Sequence, residues 1–208
     1  MTEPATLITD YLLAAAALWL GLDILRRDRA DRQKARRLWA WALLCLALSA
    51  FVGGTYHGFA TAMGERMAAL LWKATVYLVG IVDLLMLCGS LAAALPRRWQ
   101  APAVGAALAK FLVYAVFMAG HDEFRYVVYD YASSMIVILL VHAVPGSLRK
   151  DPGARFILAG LLLSFVAAGV QYSRIAPHRH FNHNDLYHVI QIGATWVLYR
   201  GARCLRDR

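Results

Sequence analysis

Two short segments carry the residue types that hold metals and move protons. FNHNDLYHVIQ (181–191) contains His183, Asp185 and His188, and SAFVGGTYHGF (49–59) carries His57 near its end. Imidazole nitrogen and carboxylate oxygen are ligands that Zn²⁺ accepts, and a catalytic zinc uses three protein ligands plus a water. On a helix advancing ~100° per residue, Asn184 and His188 lie about 40° apart and share a face. Asp185 and His188, three positions apart, are neighbours on the same surface. His183 and His188 are about 140° apart, so they converge only if His183 precedes the helix proper.

His57 and His188 are therefore candidate metal ligands, with the third drawn from His183, Asp185 or Asp10. A zinc-bound water, its pKa lowered toward ~7, would be the nucleophile, and Asp10 or Asp185 would serve as its base. The same residues also permit a metal-free reading, a hydrogen-bond network that locks helices together. Gly53 and Gly54, just before His57, allow another helix to approach closely there.

The elements that must position these groups are membrane spans. Of the 208 residues, 60% are hydrophobic and only 17% are Asp, Glu, Lys or Arg, the latter in short blocks between long apolar runs. A water-soluble domain of this size has no use for so much apolar surface. The expected class is all-α: a single-domain bundle of seven transmembrane helices over 6–25, 38–60, 67–95, 101–120, 126–145, 154–175 and 184–203. Each is near the ~20 residues that cross the hydrocarbon core, and the long third one is expected to tilt or protrude. The N-terminus has neither a basic leader nor a small-residue cleavage site, so the first span is expected to direct insertion itself. Cys45, Cys88 and Cys204 form neither a disulfide framework nor a CxxC motif.

The loops fix an expected orientation. The segments 26–37, 96–99, 146–155 and 200–208 hold 16 Lys+Arg, whereas the N-terminus and the segments 62–66, 121–125 and 173–183 hold four. Positive charge is retained in the cytoplasm, which predicts an outer N-terminus and an inner C-terminus. Contact with anionic headgroups accounts for the net charge of +9, so nucleic acid is not expected as a partner. Membrane lipids are, as solvent and as possible substrate.

Ionisable groups inside spans are costly and need partners or a function. With this topology Asp10, His57, Lys73, Asp130, Asp185 and His188 fall in the outer parts of their helices. Asp23 and His142 fall near the cytoplasmic ends. Asp83 and Lys110 lie deeper and could pair. Lys73, beside Trp72 at an interfacial level, is expected to pair with a carboxylate. His121, His178 and His180 are expected in solvated loops.

Three features together resemble the superfamily of alkaline ceramidases, adiponectin receptors and Per1-like proteins. They are a carboxylate early in helix 1 (TDYLLA, Asp10), a histidine closing helix 2 (GGTYHGF, His57), and a polar-x-x-aromatic-His opening of helix 7 (NDLYHVIQ, His188). The GxxHGF, LWK and HNxxYH elements are similar to a bacterial ceramidase-like branch, which implies a multi-pass protein of the bacterial inner membrane. The resemblance implies seven helices, a zinc held by three histidines and hydrolysis of a lipid amide. His57 and His188 carry over directly. The family's serine four residues before the helix 2 histidine is Gly53 here, and the first histidine of its helix 7 pair is Asn184, with His183 beside it.

Three functions compete at this stage. The first is a zinc-dependent hydrolase of a lipid amide or ester, its metal on His57, His183 and His188 and its acid–base chemistry on Asp10 and Asp185. The second is a receptor or lipid-binding protein that uses the same pocket without turnover. The third is a proton-coupled carrier, for which the sequence offers no inverted repeat.

Overall fold

The computed structural model describes residues 3–143, 152–178 and 180–208. Residues 144 and 145 of the expected fifth span, most of the basic loop that follows it, and Arg179 lie outside the described residues. Seven α-helices are described: α1 Pro4–Arg27, α2 Lys34–Met63, α3 Glu65–Ala94, α4 Arg97–Ala119, α5 Phe124–Ala143, α6 Ala154–Ser173 and α7 His183–Ala202. The first six are long and apolar enough to cross a membrane. The chain is thus a helical membrane protein. α7 has the length of a span, but its opening turns carry His183, Asn184, Asp185, His188 and Gln191.

Packing arranges six helices in a ring. α1 lies against α2, α2 against α3, α3 against α5, α5 against α6, α6 against α7, and α7 closes back on α1. α4 stands outside this ring against α3 and buries only Ala107, Tyr114 and Met118 along its length. Its outward residues, such as Leu112, Val113 and Val116, are apolar and exposed, as a lipid-facing surface requires.

One end of the ring is solid. Leu20, Ile24, Trp39, Leu43, Leu91, Ile157 and Leu198 pack there with Leu205 of the C-terminal tail. That tail also closes helix ends. The Asp207 carboxylate accepts from the backbone N–H of Lys34 and Ala35 at 2.7 Å each, and the Arg208 guanidinium donates to Ala94 O at 2.6 Å. Four free N–H groups at a helix start and four free carbonyls at its end need such partners. Asp23 ties α1 to α7 at this end, accepting from Tyr199 Oη at 2.6 Å.

The other end is held apart by long helices and tight joints. α2 and α3, 30 residues each, are joined by Gly64 alone, whose φ of 77° suits glycine. Toward that end α1 and α2 touch at Gly54, where an added Cβ would stand 2.7 Å from Asp10 Cβ. The close approach brings the Asp10 carboxylate and the turn bearing His57 to one place.

Candidate functional site

At the end of the bundle where α2 finishes and α7 begins, the ring encloses a cavity of about 820 Å³. Asp10, His57, His183 and His188 all line it, so α1, α2 and α7 deliver to one space three of the groups that the sequence placed at one depth, Asp10, His57 and His188, together with His183. Trp72, Gln171 and Tyr187 complete the wall near them.

α1 supplies a polar stripe at three- and four-residue spacing, Glu3, Thr6, Thr9 and Asp10, which places these groups on neighbouring positions of one helix. Each engages a partner on α2 or α7. Glu3 Oε2 lies 3.2 Å from His57 Nδ1. Thr6 Oγ1 donates to Asp185 Oδ1 at 2.8 Å. Thr9 Oγ1 donates to Thr6 O and lies 3.1 Å from His188 Nδ1. Asp10 Oδ1 lies 3.1 Å from His188 Nε2. The sequence reading missed Glu3, Thr6 and Thr9; the signal for them was their regular spacing with Asp10.

These contacts hold both histidine rings in place. His188 lies between the Thr9 hydroxyl at Nδ1 and the Asp10 carboxylate at Nε2, 3.1 Å from each. Glu3, an acceptor when ionised, takes the Nδ1 proton of His57, leaving Nε2 as its uncommitted ring nitrogen among the described residues. Asp10 Oδ2 is buried without a hydrogen-bond partner among the described residues. Such an atom is expensive to hold unless something else occupies the site.

Asp185 sits differently from its expected catalytic place. Its Oδ1 accepts from Thr6, and its Oδ2 accepts from the Asn182 backbone N–H at 2.6 Å in a capping box that starts α7. Both oxygens are committed, and the residue is not among those lining the cavity. It fixes the start of α7 against α1. His183 is the first residue of α7 rather than a residue before the helix, and it lines the cavity half-buried.

The other membrane-level charges form separate structures. Lys73 pairs with Asp122 at 2.7 Å and donates to Met118 O at 2.6 Å and His121 O at 2.8 Å, which closes the end of α4. Asp130 was grouped with the histidines by depth; it instead joins Lys110 at 2.7 Å. Lys110 also binds Asp83 at 2.9 Å, and Ser134 donates to the same Asp83 oxygen at 2.7 Å. This cluster pins α4 onto the ring.

The donor chemistry of His57, His188, His183 and Asp10 suits zinc. In metal sites the ring nitrogen away from the ion characteristically donates to a carboxylate, carbonyl or water. Glu3 and Thr9 stand in the equivalent outer positions here. Among the described residues, however, no group of three His, Cys, Asp or Glu side chains is close enough to hold an ion as it stands. Binding would require these side chains to close further around it.

Fold and site together define a polytopic helical membrane protein with a buried acid–histidine cavity at one end. The chain belongs to a family of unknown function (DUF6962), whose model matches residues 5–207. No curated protein and no solved structure matches the chain.

Proposed function

We propose that this protein is a membrane hydrolase similar to the alkaline ceramidases, cleaving an amide or ester linkage of a lipid admitted to the cavity between α1, α2 and α7. In this reading the chain spans the bilayer seven times with its N-terminus outside. The loop charges support that orientation, and it puts the cavity near the outer leaflet of a bacterial inner membrane. One observation carries the reading. Two imidazoles from different helices, each anchored at Nδ1, face one cavity beside a buried carboxylate oxygen that has no partner among the described residues.

His57 and His188 would hold a zinc ion, with His183 as the third ligand. The ion would supply a water acidic enough to ionise near neutral pH. The chain's own groups do the rest. Glu3 and Thr9 orient the rings, and Asp10 accepts or returns a proton. Asp185, fully committed, acts through position alone.

Metal analysis of the purified protein, alongside turnover of a panel of lipid amides and esters, tests this reading. The expected result is one zinc per chain. His57→Ala and His188→Ala lose the metal, and Asp10→Asn lowers turnover by about 10²-fold or more, a typical contribution of a positioned general acid–base group. Folded His57→Ala and His188→Ala proteins with unchanged metal content and unchanged turnover would overturn it.

A further inference from the structure

We propose that the cavity selects lipids bearing an anionic, phosphate-type headgroup, recognised at its mouth by Arg174 with Arg125. This deepens the hydrolase reading and rests on its premise that the cavity admits a membrane lipid.

The loops at this end of the bundle contain only four Lys or Arg, namely Arg66, Arg125, Arg174 and Arg179. Two of them, Arg125 at the start of α5 and Arg174 just after α6, line the cavity. Both stand at one opening, where Arg125 is shared with Glu123 and Arg174 is not.

Around the cavity Glu123 lies 2.9 Å from Arg125, whose guanidinium also sits 5.0 Å over the Tyr126 ring. Arg174 has no carboxylate within ion-pair distance among the described residues, and it is the cation left over. Its backbone is informative as well. It caps α6 at φ 54°, ψ 34°, the left-handed region where glycine is the relaxed choice. Arg32 at the opposite end of the bundle shares this conformation, so the backbone marks Arg174 only as a place where glycine can be substituted without strain.

Depth agrees with this. His57 is six residues from the end of α2 and His188 five from the start of α7. At 1.5 Å per residue both lie about 8 Å in from their helix ends. The two arginines lie at helix ends. A lipid whose headgroup rests on the arginines would therefore put its acyl linkage at the level of the histidines. Guanidinium is suited to phosphate because its fork of N–H donors binds two oxygens at once.

Binding measured without turnover separates this inference from the hydrolase reading. The full chain in neutral detergent is titrated with short-chain phosphatidylglycerol, with the diacylglycerol of the same chains, and with inorganic phosphate. The expected preference for the charged lipid over the neutral one is at least ten-fold, and added salt reduces it. Arg174→Gly, a replacement the local backbone favours, should keep the fold and remove most of the preference; Arg125→Gln should reduce it. Equal binding of both lipids, or an unchanged preference in Arg174→Gly, overturns the proposal. Inorganic phosphate binding as tightly as the charged lipid also overturns it, because the site would then recognise the free anion. A wild-type protein that discriminates without hydrolysing would sink the hydrolase reading and leave this one standing.

Discussion

Thr9 Oγ1 lies 3.1 Å from His188 Nδ1 while Asp10 Oδ1 lies 3.1 Å from its Nε2, so two successive residues of α1 hold the ring at both nitrogens. Thr9→Val keeps the shape and removes the hydroxyl. The lost hydrogen bond is worth about 1 kcal/mol, so the fold should survive with a small fall in thermal midpoint. Metal affinity or turnover should fall by about 10- to 100-fold, the usual cost of losing an outer partner of a ligating histidine. Equal metal affinity and equal turnover in Thr9→Val and wild type would show that this hydroxyl does not orient the ring.

Gly54 sets how closely α1 and α2 pack. Gly54→Ala gains up to ~1 kcal/mol of helix propensity, but its Cβ would stand 2.7 Å from Asp10 Cβ and 3.0 Å from the Tyr11 ring. Forced overpacking costs about 1–3 kcal/mol, so the clash should win and the thermal midpoint in detergent should drop. Gly105→Ala meets nothing within 4 Å and should be neutral or slightly stabilising. A Gly54→Ala protein as stable as Gly105→Ala would refute the close-contact argument.

Lys110 sits between two carboxylates. Lys110→Met leaves Asp83 and Asp130 facing one another with their shared cation gone. Breaking a buried charge cluster in this way costs about 3–5 kcal/mol. Asp130→Asn keeps the Lys110–Asp83 pair and should cost far less. Thermal unfolding of the two variants should rank them in that order, and the reverse ranking would argue that Lys110 does not hold α4 in place.

Much of this architecture was legible in the sequence because membrane insertion leaves strong marks. Long apolar runs gave seven helices within a few residues of the described bounds, and the pairings of Lys73 with a carboxylate and of Asp83 with Lys110 followed from the cost of isolated charges in a bilayer. His57, His188 and Asp10 share a cavity, as their common depth suggested, and His183 joins them there. What depth could not supply was azimuth. Asp130 lies toward α4 instead of the cavity, a matter of which way its helix is turned. Asp185 reads as a catalytic acid by residue type, yet the Asn182–Asp185 capping box claims it; the N-x-x-D pattern opening α7 is the mark of a helix start. Glu3 lies before the first apolar run, and Thr6 and Thr9 are uncharged, so a search for intramembrane charges passed over all three.

The contact between α1 and α7 makes the ring a closed circuit, and it sets a schedule for the chain during synthesis. Asp10 and His57 enter the membrane early, while His188 follows more than a hundred residues later. Until α7 slots against α1, the wall that Thr6, Thr9 and Asp10 present to it stands open. The cluster is therefore assembled only once α7 has joined α1, and a nascent chain stalled before that point carries the pieces of the site without the site itself.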